Sequence, residues 1–168
     1  MQIRAARASD SAEIEAIMAP AIAAGQLLPQ SLPPPRRHVA VDADGRIIGA
    51  VSLKPWSGEV IELGGLVSVV TGRGVGRALV AAALRDAAAA QYDTVVALTA
   101  IPDFFARQGF RVHDNAPWRW ARETPLRVPD DGLGLGMLLK STCCSGCPRL
   151  ARCNQILMVR QIEKVLVA

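Results

Sequence analysis

Residues 71–80 read TGRGVGRALV, with Gly72, Gly74 and Gly76 at every second position, Arg73 between the first two and Arg77 after the third. Glycines let backbone N–H groups approach a ligand closely, and a helix N-terminus favours negative charge. The stretch therefore reads as an anion site at the mouth of a helix. Its Gly-x-Gly-x-Gly spacing is not the Gly-x-Gly-x-x-Gly of a dinucleotide fold, and Arg77 followed by Ala78 is not the Lys-Ser/Thr pair of a P-loop. What remains is a strand, a glycine loop and a helix with two arginines, a layout that suits a pyrophosphate; a bare tight turn is the alternative. A second chemical cluster, TCCSGCPRLARC, holds Cys143, Cys144, Cys147 and Cys153. Thiolates at that spacing suit a tetrahedral zinc ion or an iron–sulfur cluster, with free thiols or a reversible disulfide as the alternatives. His38 and His113 have no metal-ligand spacing and read as ordinary strand residues.

The elements that must position these groups follow from periodicity. SDSAEIEAIMAPAIAAG predicts a helix opened by a capping box from Asp10 to Glu13, with Ile14, Ile17, Met18 and Ile22 on one face and a stop at Gly25. The prolines of QLLPQSLPPPRR, residues 26–37, predict a loop or a broken helix. HVAVDADGRIIGAVSL predicts two strands joined at Asp44 and Gly45, and residues 60–70 a long third strand with a bulge at the pair Gly64–Gly65. The spacing of Val75, Leu79, Ala83 and Ala87 predicts a helix over 75–90. Residues 93–98 follow as a buried strand, PDFFARQG as a short helix closed by Gly109, and residues 156–162 as the last strand. This order indicates a mixed α/β sheet, with an irregular Cys-containing insertion at about 115–155 before the last strand.

A chain of 168 residues is long enough to bury a core without a disulfide or metal staple, and one domain over 1–168 is expected. The net charge of +4 comes without a clustered basic stripe interleaved with aromatics, which argues against nucleic acid as a partner. No apolar run reaches the roughly 18 residues of a membrane span, and the start MQIRAARASD has no apolar h-region, so a cytoplasmic protein is expected.

LVSVVTGRGVGRALV resembles the signature of the GNAT superfamily of acyl-CoA-dependent N-acyltransferases: Arg or Gln, two residues, Gly, one residue, then Gly or Ala. Gly74 and Gly76 take the glycine places, and Thr71 stands where the Arg or Gln is expected. FFARQGF resembles the closing motif of the same superfamily. Within it, GQLLPQS, DADGRIIGAVSLKPW, IELGGLV and LTAIPDFFARQGF together resemble the amino-acid N-acetyltransferases of the N-acetylglutamate synthase type, with Gln30 where that branch often has an arginine.

The resemblance implies a mostly antiparallel central sheet flanked by helices, acetyl-CoA as cosubstrate, and direct attack of a small amine, such as that of glutamate, on the thioester in a ternary complex. It casts Glu62, the only carboxylate of the third strand, as general base, with Glu59 as substitute. Coenzyme binding falls to Leu66, Val67, Gly72, Arg73, Gly74, Val75, Gly76, Arg77 and Phe105, the amides near Leu66 and Val67 also serving the oxyanion. The usual tyrosine acid of the last helix is replaced by Phe104 and Phe105, and the only tyrosine, Tyr92, lies elsewhere, so water protonates the thiolate or it leaves unassisted. Arg36, Arg37, Lys54 and Arg119 are candidates for an acceptor carboxylate, and Trp56, Trp118 and Trp120 either cover the core or wall the pocket. The four cysteines are candidate zinc ligands, and a homodimer is a candidate assembly. The competing reading is a non-catalytic acyl-CoA-binding or thiol- and metal-sensing module, motivated by Thr71, the missing tyrosine and the cysteines.

Overall fold

The computed structural model describes residues 1–27, 36–115, 134 and 147–162. In chain order these form β1 (Gln2–Ala5), α1 (Ser11–Ala23), β2 (Arg37–Val41), β3 (Ile47–Pro55), β4 (Val60–Ser68), α2 (Val75–Ala89), β5 (Thr94–Thr99), α3 (Pro102–Ala106), β6 (Arg111–Asp114) and β7 (Ile156–Gln161). Short 3-10 turns at Ala8–Asp10 and Leu150–Arg152 precede α1 and β7. Among the described residues no helix is long and apolar enough to cross a membrane.

The strands make one sheet in the order β1-β2-β3-β4-β5-β7-β6. Every pairing is antiparallel except β4 with β5. That exception is forced by α2, since a strand, a crossover helix and a strand return the chain in the same direction. The hairpin β2–β3 turns where Asp42 Oδ1 accepts the amides of Asp44 and Arg46, both at 2.9 Å, and Gly45 takes φ +81°. The Asp-Gly turn thus forms as its residues require.

Among the described residues, α2 and the short α3 pack on one face of the sheet and α1 on the other. α2 lays Val75, Leu79, Val80, Ala83 and Ala87 on Val51, Leu53, Ile61, Leu63, Val95 and Ala97. On the opposite face Ile14 and Met18 of α1 meet Val39, Val41, Ile47 and Ala50, with Ile17 and Ile22 alongside. Full burial of each such aliphatic side chain contributes about 1.5–3 kcal/mol. Both helical faces are those expected from periodicity.

The start of α1 departs from expectation. The Asp10–Glu13 capping box does not form: the Asp10 carboxylate turns back to the Arg4 guanidinium, at 2.6 and 3.0 Å, and to the Arg7 amide at 2.6 Å. Glu13 instead accepts the Ile47 amide at 2.8 Å, tying α1 to β3. A bidentate guanidinium pair is stronger than a neutral capping bond. It becomes available because residues 2–5, with no alternation to mark them, add as an edge strand to β2 and bring Arg4 into reach.

Candidate active site

The bulge expected at Gly64–Gly65 is present. Pairing between β3 and β4 passes from Ala50 opposite Val67 to Ser52 opposite Gly64, so β4 spends one residue more than β3, and Gly65 takes φ +60°. Pairing of β4 with β5 covers only Val60–Glu62 against Thr94–Val96. Beyond Glu62 the two strands part, and β5 continues as partner of β7 alone through Ala97–Thr99. Leu66 and Val67, both partly exposed, lie on the parted stretch of β4 just past the bulge.

Glu62 stands at the last paired rung before that parting. It is 8% exposed, and its Oε2 accepts the Trp56 indole N–H at 2.9 Å. Trp56 therefore does more than cover the core. A buried indole needs an acceptor, and the Lys54–Glu62 register of the β3–β4 pair brings this carboxylate into range. Residues paired directly across a sheet share a face. The pairs Arg37–Ser52, Ser52–Gly64 and Lys54–Glu62 therefore set Arg37, Ser52, Lys54 and Glu62 on the face of α1, away from α2. Arg37 is buried, Lys54 partly buried and Arg36 exposed. Glu59 is exposed and outside β4, with its carbonyl taken by the amides of Asp93 and Thr94.

After β4 the chain enters the glycine loop. Gly72 and Gly74 both take φ +72°, a left-handed conformation that L side chains rarely adopt, with open space around each. Gly74 is the residue before the first turn of α2, and its carbonyl receives the first helical bond, from the Ala78 amide at 3.0 Å. The amides of the first helical turn have no acceptor within the helix and point outward. Gly76 serves a different end: a Cβ there would lie 3.3 Å from Cζ of Phe104, so its bareness lets the ring lie across the helix start. Val75 turns its side chain into the core at 1% exposure, leaving only its backbone to the loop.

These residues line an open cleft of about 810 Å³ bounded by Gly72, Arg73, Gly74, Arg77, Phe104, Arg107 and Gln108. Phe105, expected to bind the coenzyme, instead is 4% exposed and packs edge-on against Phe104 and Phe110 in the core, and it is Phe104 that lines the cleft. Five helical residues give no periodicity from which to choose between them. Arg107 and Gln108 were not singled out in the sequence, because their side of the cleft comes from α3 rather than from the glycine motif. Tyr92 packs against the core formed under α2, and Thr71 is exposed.

His38 and His113 lie on β2 and β6, strand residues as the sequence predicts. His38 is held below the usual imidazole range by burial, against the pull of Asp86 on α2, 3.9 Å away, with Arg85 adding to the lowering. Cys147 and Cys153 are free and partly buried. Cys143, Cys144, Gln30, Trp118, Arg119 and Trp120 lie outside the described residues, as do most of the proline-rich loop and of the 115–155 insertion. Among the described residues no three potential ligands converge on a metal position. Two thiols fall short of the four ligands of a structural zinc site, so zinc would rest on the cysteines not described.

Residues 8–110 match the model of the acetyltransferase (GNAT) family. No curated protein matches the chain. Among solved structures, Rv2747 from Mycobacterium tuberculosis, in complex with CoA and NLQ, superposes with a TM-score of 0.73 at 20% identity, over 97% of this chain and 100% of that one. N-acetylglutamate synthase from Neisseria gonorrhoeae, complexed with coenzyme A and N-acetyl-glutamate, gives 0.71 at 20% identity over 96% of this chain but 35% of that one. A GCN5-related N-acetyltransferase from Kribbella flavida gives 0.64 at 20% identity over 96% and 97%. At these identities the superpositions establish the fold.

Proposed function

Because the chain belongs to the acetyltransferase (GNAT) family, we propose that it transfers the acetyl group of acetyl-CoA to the α-amine of an amino acid, as a single N-acetyltransferase domain working in the cytoplasm. The observation that carries this reading is the position of Glu62: buried, hydrogen-bonded to Trp56, and standing where β4 and β5 separate. The parted strands leave a gap between the two layers. A thioester can enter it from the α2 side while an amine approaches from the face of α1.

The chemistry then follows from the groups available. Glu62 takes a proton from the acceptor ammonium, directly or through water, and frees its lone pair. The nitrogen attacks the thioester carbon, a C–N bond forms, and the negative charge on oxygen is met by amides near Leu66 and Val67. Collapse breaks the C–S bond, the nitrogen passes its second proton to water, and the thiolate takes a proton from that water, since Phe104 and Phe105 have none to give. The coenzyme pyrophosphate lies against the first turn of α2, with Arg73 and Arg77 supplying charge. Lys54, opposite Glu62 in the β3–β4 pair, is placed to hold the acceptor carboxylate, with Arg37 on the same face. The N-acetyl-glutamate bound by the gonococcal structure supports an amino acid as acceptor. Thioester consumption measured over the standard amino acids is expected to show turnover on one or a few of them. Acetyl-CoA binding without turnover on any amine would instead favour a non-catalytic acyl-CoA-binding module.

A further inference from the structure

The cleft carries more positive charge than a pyrophosphate needs. Its described lining holds three guanidiniums, those of Arg73, Arg77 and Arg107, and no carboxylate. Among the described residues none of the three takes part in an ion pair such as those of Arg4 with Asp10 and His38 with Asp86. The charges also divide in space. Arg73 and Arg77 flank Gly74 and the first turn of α2, whereas Arg107 closes α3, a different element, beside Gln108. A pyrophosphate in diester linkage carries about two negative charges. Two arginines and the helix terminus, worth about half a charge, balance it. A phosphomonoester adds a further charge of about −1.5 to −2 at neutral pH. Arg107 is the cation left to meet it.

The turn that carries Arg107 is also held in place. The Arg160 guanidinium on β7 donates to the carbonyl of Gln108. Gly109 follows at φ +79°, and a Cβ there would come within 3.3 Å of the Arg160 guanidinium. A β strand thus anchors a turn whose residues Arg107 and Gln108 line the cleft. Fixing the turn lowers the entropy lost when a ligand engages it.

From this division, and resting on the coenzyme reading given above, we propose that Arg107, assisted by Gln108, forms a subsite for the 3′-phosphate of coenzyme A, distinct from the pyrophosphate site of Arg73 and Arg77. The enzyme accordingly selects the 3′-phosphorylated carrier over forms that end in an unphosphorylated ribose. Its recognition is a charge-assisted contact from an exposed side chain, which contributes on the order of a tenfold change in affinity.

The test is calorimetric titration of the full chain with coenzyme A and with 3′-dephospho-coenzyme A. The wild type is expected to bind the first about tenfold more tightly, and Arg107→Ala to weaken coenzyme A to the level of the dephospho form while leaving the latter unchanged. Arg73→Ala should weaken both ligands alike. Equal wild-type affinity for the two ligands, or equal losses for both on Arg107→Ala, would overturn the subsite while leaving the coenzyme reading intact. A loss of thermal stability without any change in affinity would likewise reduce Arg107 to a helix-end cation. Failure of the wild type to bind either ligand would instead sink the coenzyme reading itself.

Discussion

The two faces of the three central strands are made differently. Towards α2, Val51, Leu53, Ile61 and Leu63 are all buried and aliphatic. One residue away along the same strands, Arg37, Ser52, Lys54 and Glu62 present a polar band to the other face. Alternation lets one strand serve both purposes at once. The contrast teaches that, along this stretch of β3 and β4, apolar packing lies on one side and the buried polar groups on the other, even where the residues concerned are chain neighbours.

The sharpest way to break that contrast is to damage each side in turn. Leu63→Ala, on the dry face, should cost about 3 kcal/mol through lost burial and an unfilled cavity, read by chemical denaturation, with turnover per folded molecule largely kept. Glu62→Gln, one position earlier, should do the reverse: kcat falling by about a hundredfold, the general acid–base contribution, with the unfolding midpoint and coenzyme affinity nearly unchanged. Equal loss of stability in both variants would show that the faces are not separable.

Asp10 sharpens the comparison, because it is a buried carboxylate near α1 that faces Arg4 rather than the site. The Arg4 hydrogen bonds, aided by the Arg7 amide, hold its pKa down to about 2 from 3.8. A carboxyl with a lowered folded-state pKa stabilises the fold above its unfolded value, and that stability is lost as pH falls. Asp10→Asn should therefore destabilise by up to about 2 kcal/mol at neutral pH. The difference from wild type should shrink between about pH 4 and pH 2, while kcat stays close to wild type. The smallest effect is expected from Trp56→Phe, which keeps the ring but removes the N–H held by Glu62. A loss of about tenfold in kcat, with the KM for acetyl-CoA unchanged, would mark Trp56 as orienting the carboxylate; a change confined to stability would return it to a packing role.

Much of this frame is legible in the residues themselves. The register of apolar positions in α2 is periodic over four turns, the Asp-Gly turn admits little else, and paired glycines in a strand announce a bulge. What escapes are features set by partners distant in the chain. β1 is four residues long and becomes a strand only by pairing with β2. The Asp10 carboxylate has a local capping role open to it, and a guanidinium delivered by tertiary structure takes it instead. Likewise, Arg107 looks like an ordinary helix-end cation until α3 is folded beside the glycine loop. Trp56 could have been linked to Glu62 by asking which acceptor a buried indole can reach from the β3–β4 turn.

The short contact between β4 and β5 constrains how this chain can change. Because only Val60–Glu62 hold the two strands in register, deleting or inserting one residue between Ile61 and the bulge would turn the carboxylate under α2 and push a leucine into the gap. Such an indel would remove stability and turnover in one step. Length variation is expected instead in residues 69–73, where the loop to α2 can absorb an extra residue without exchanging the faces of the sheet.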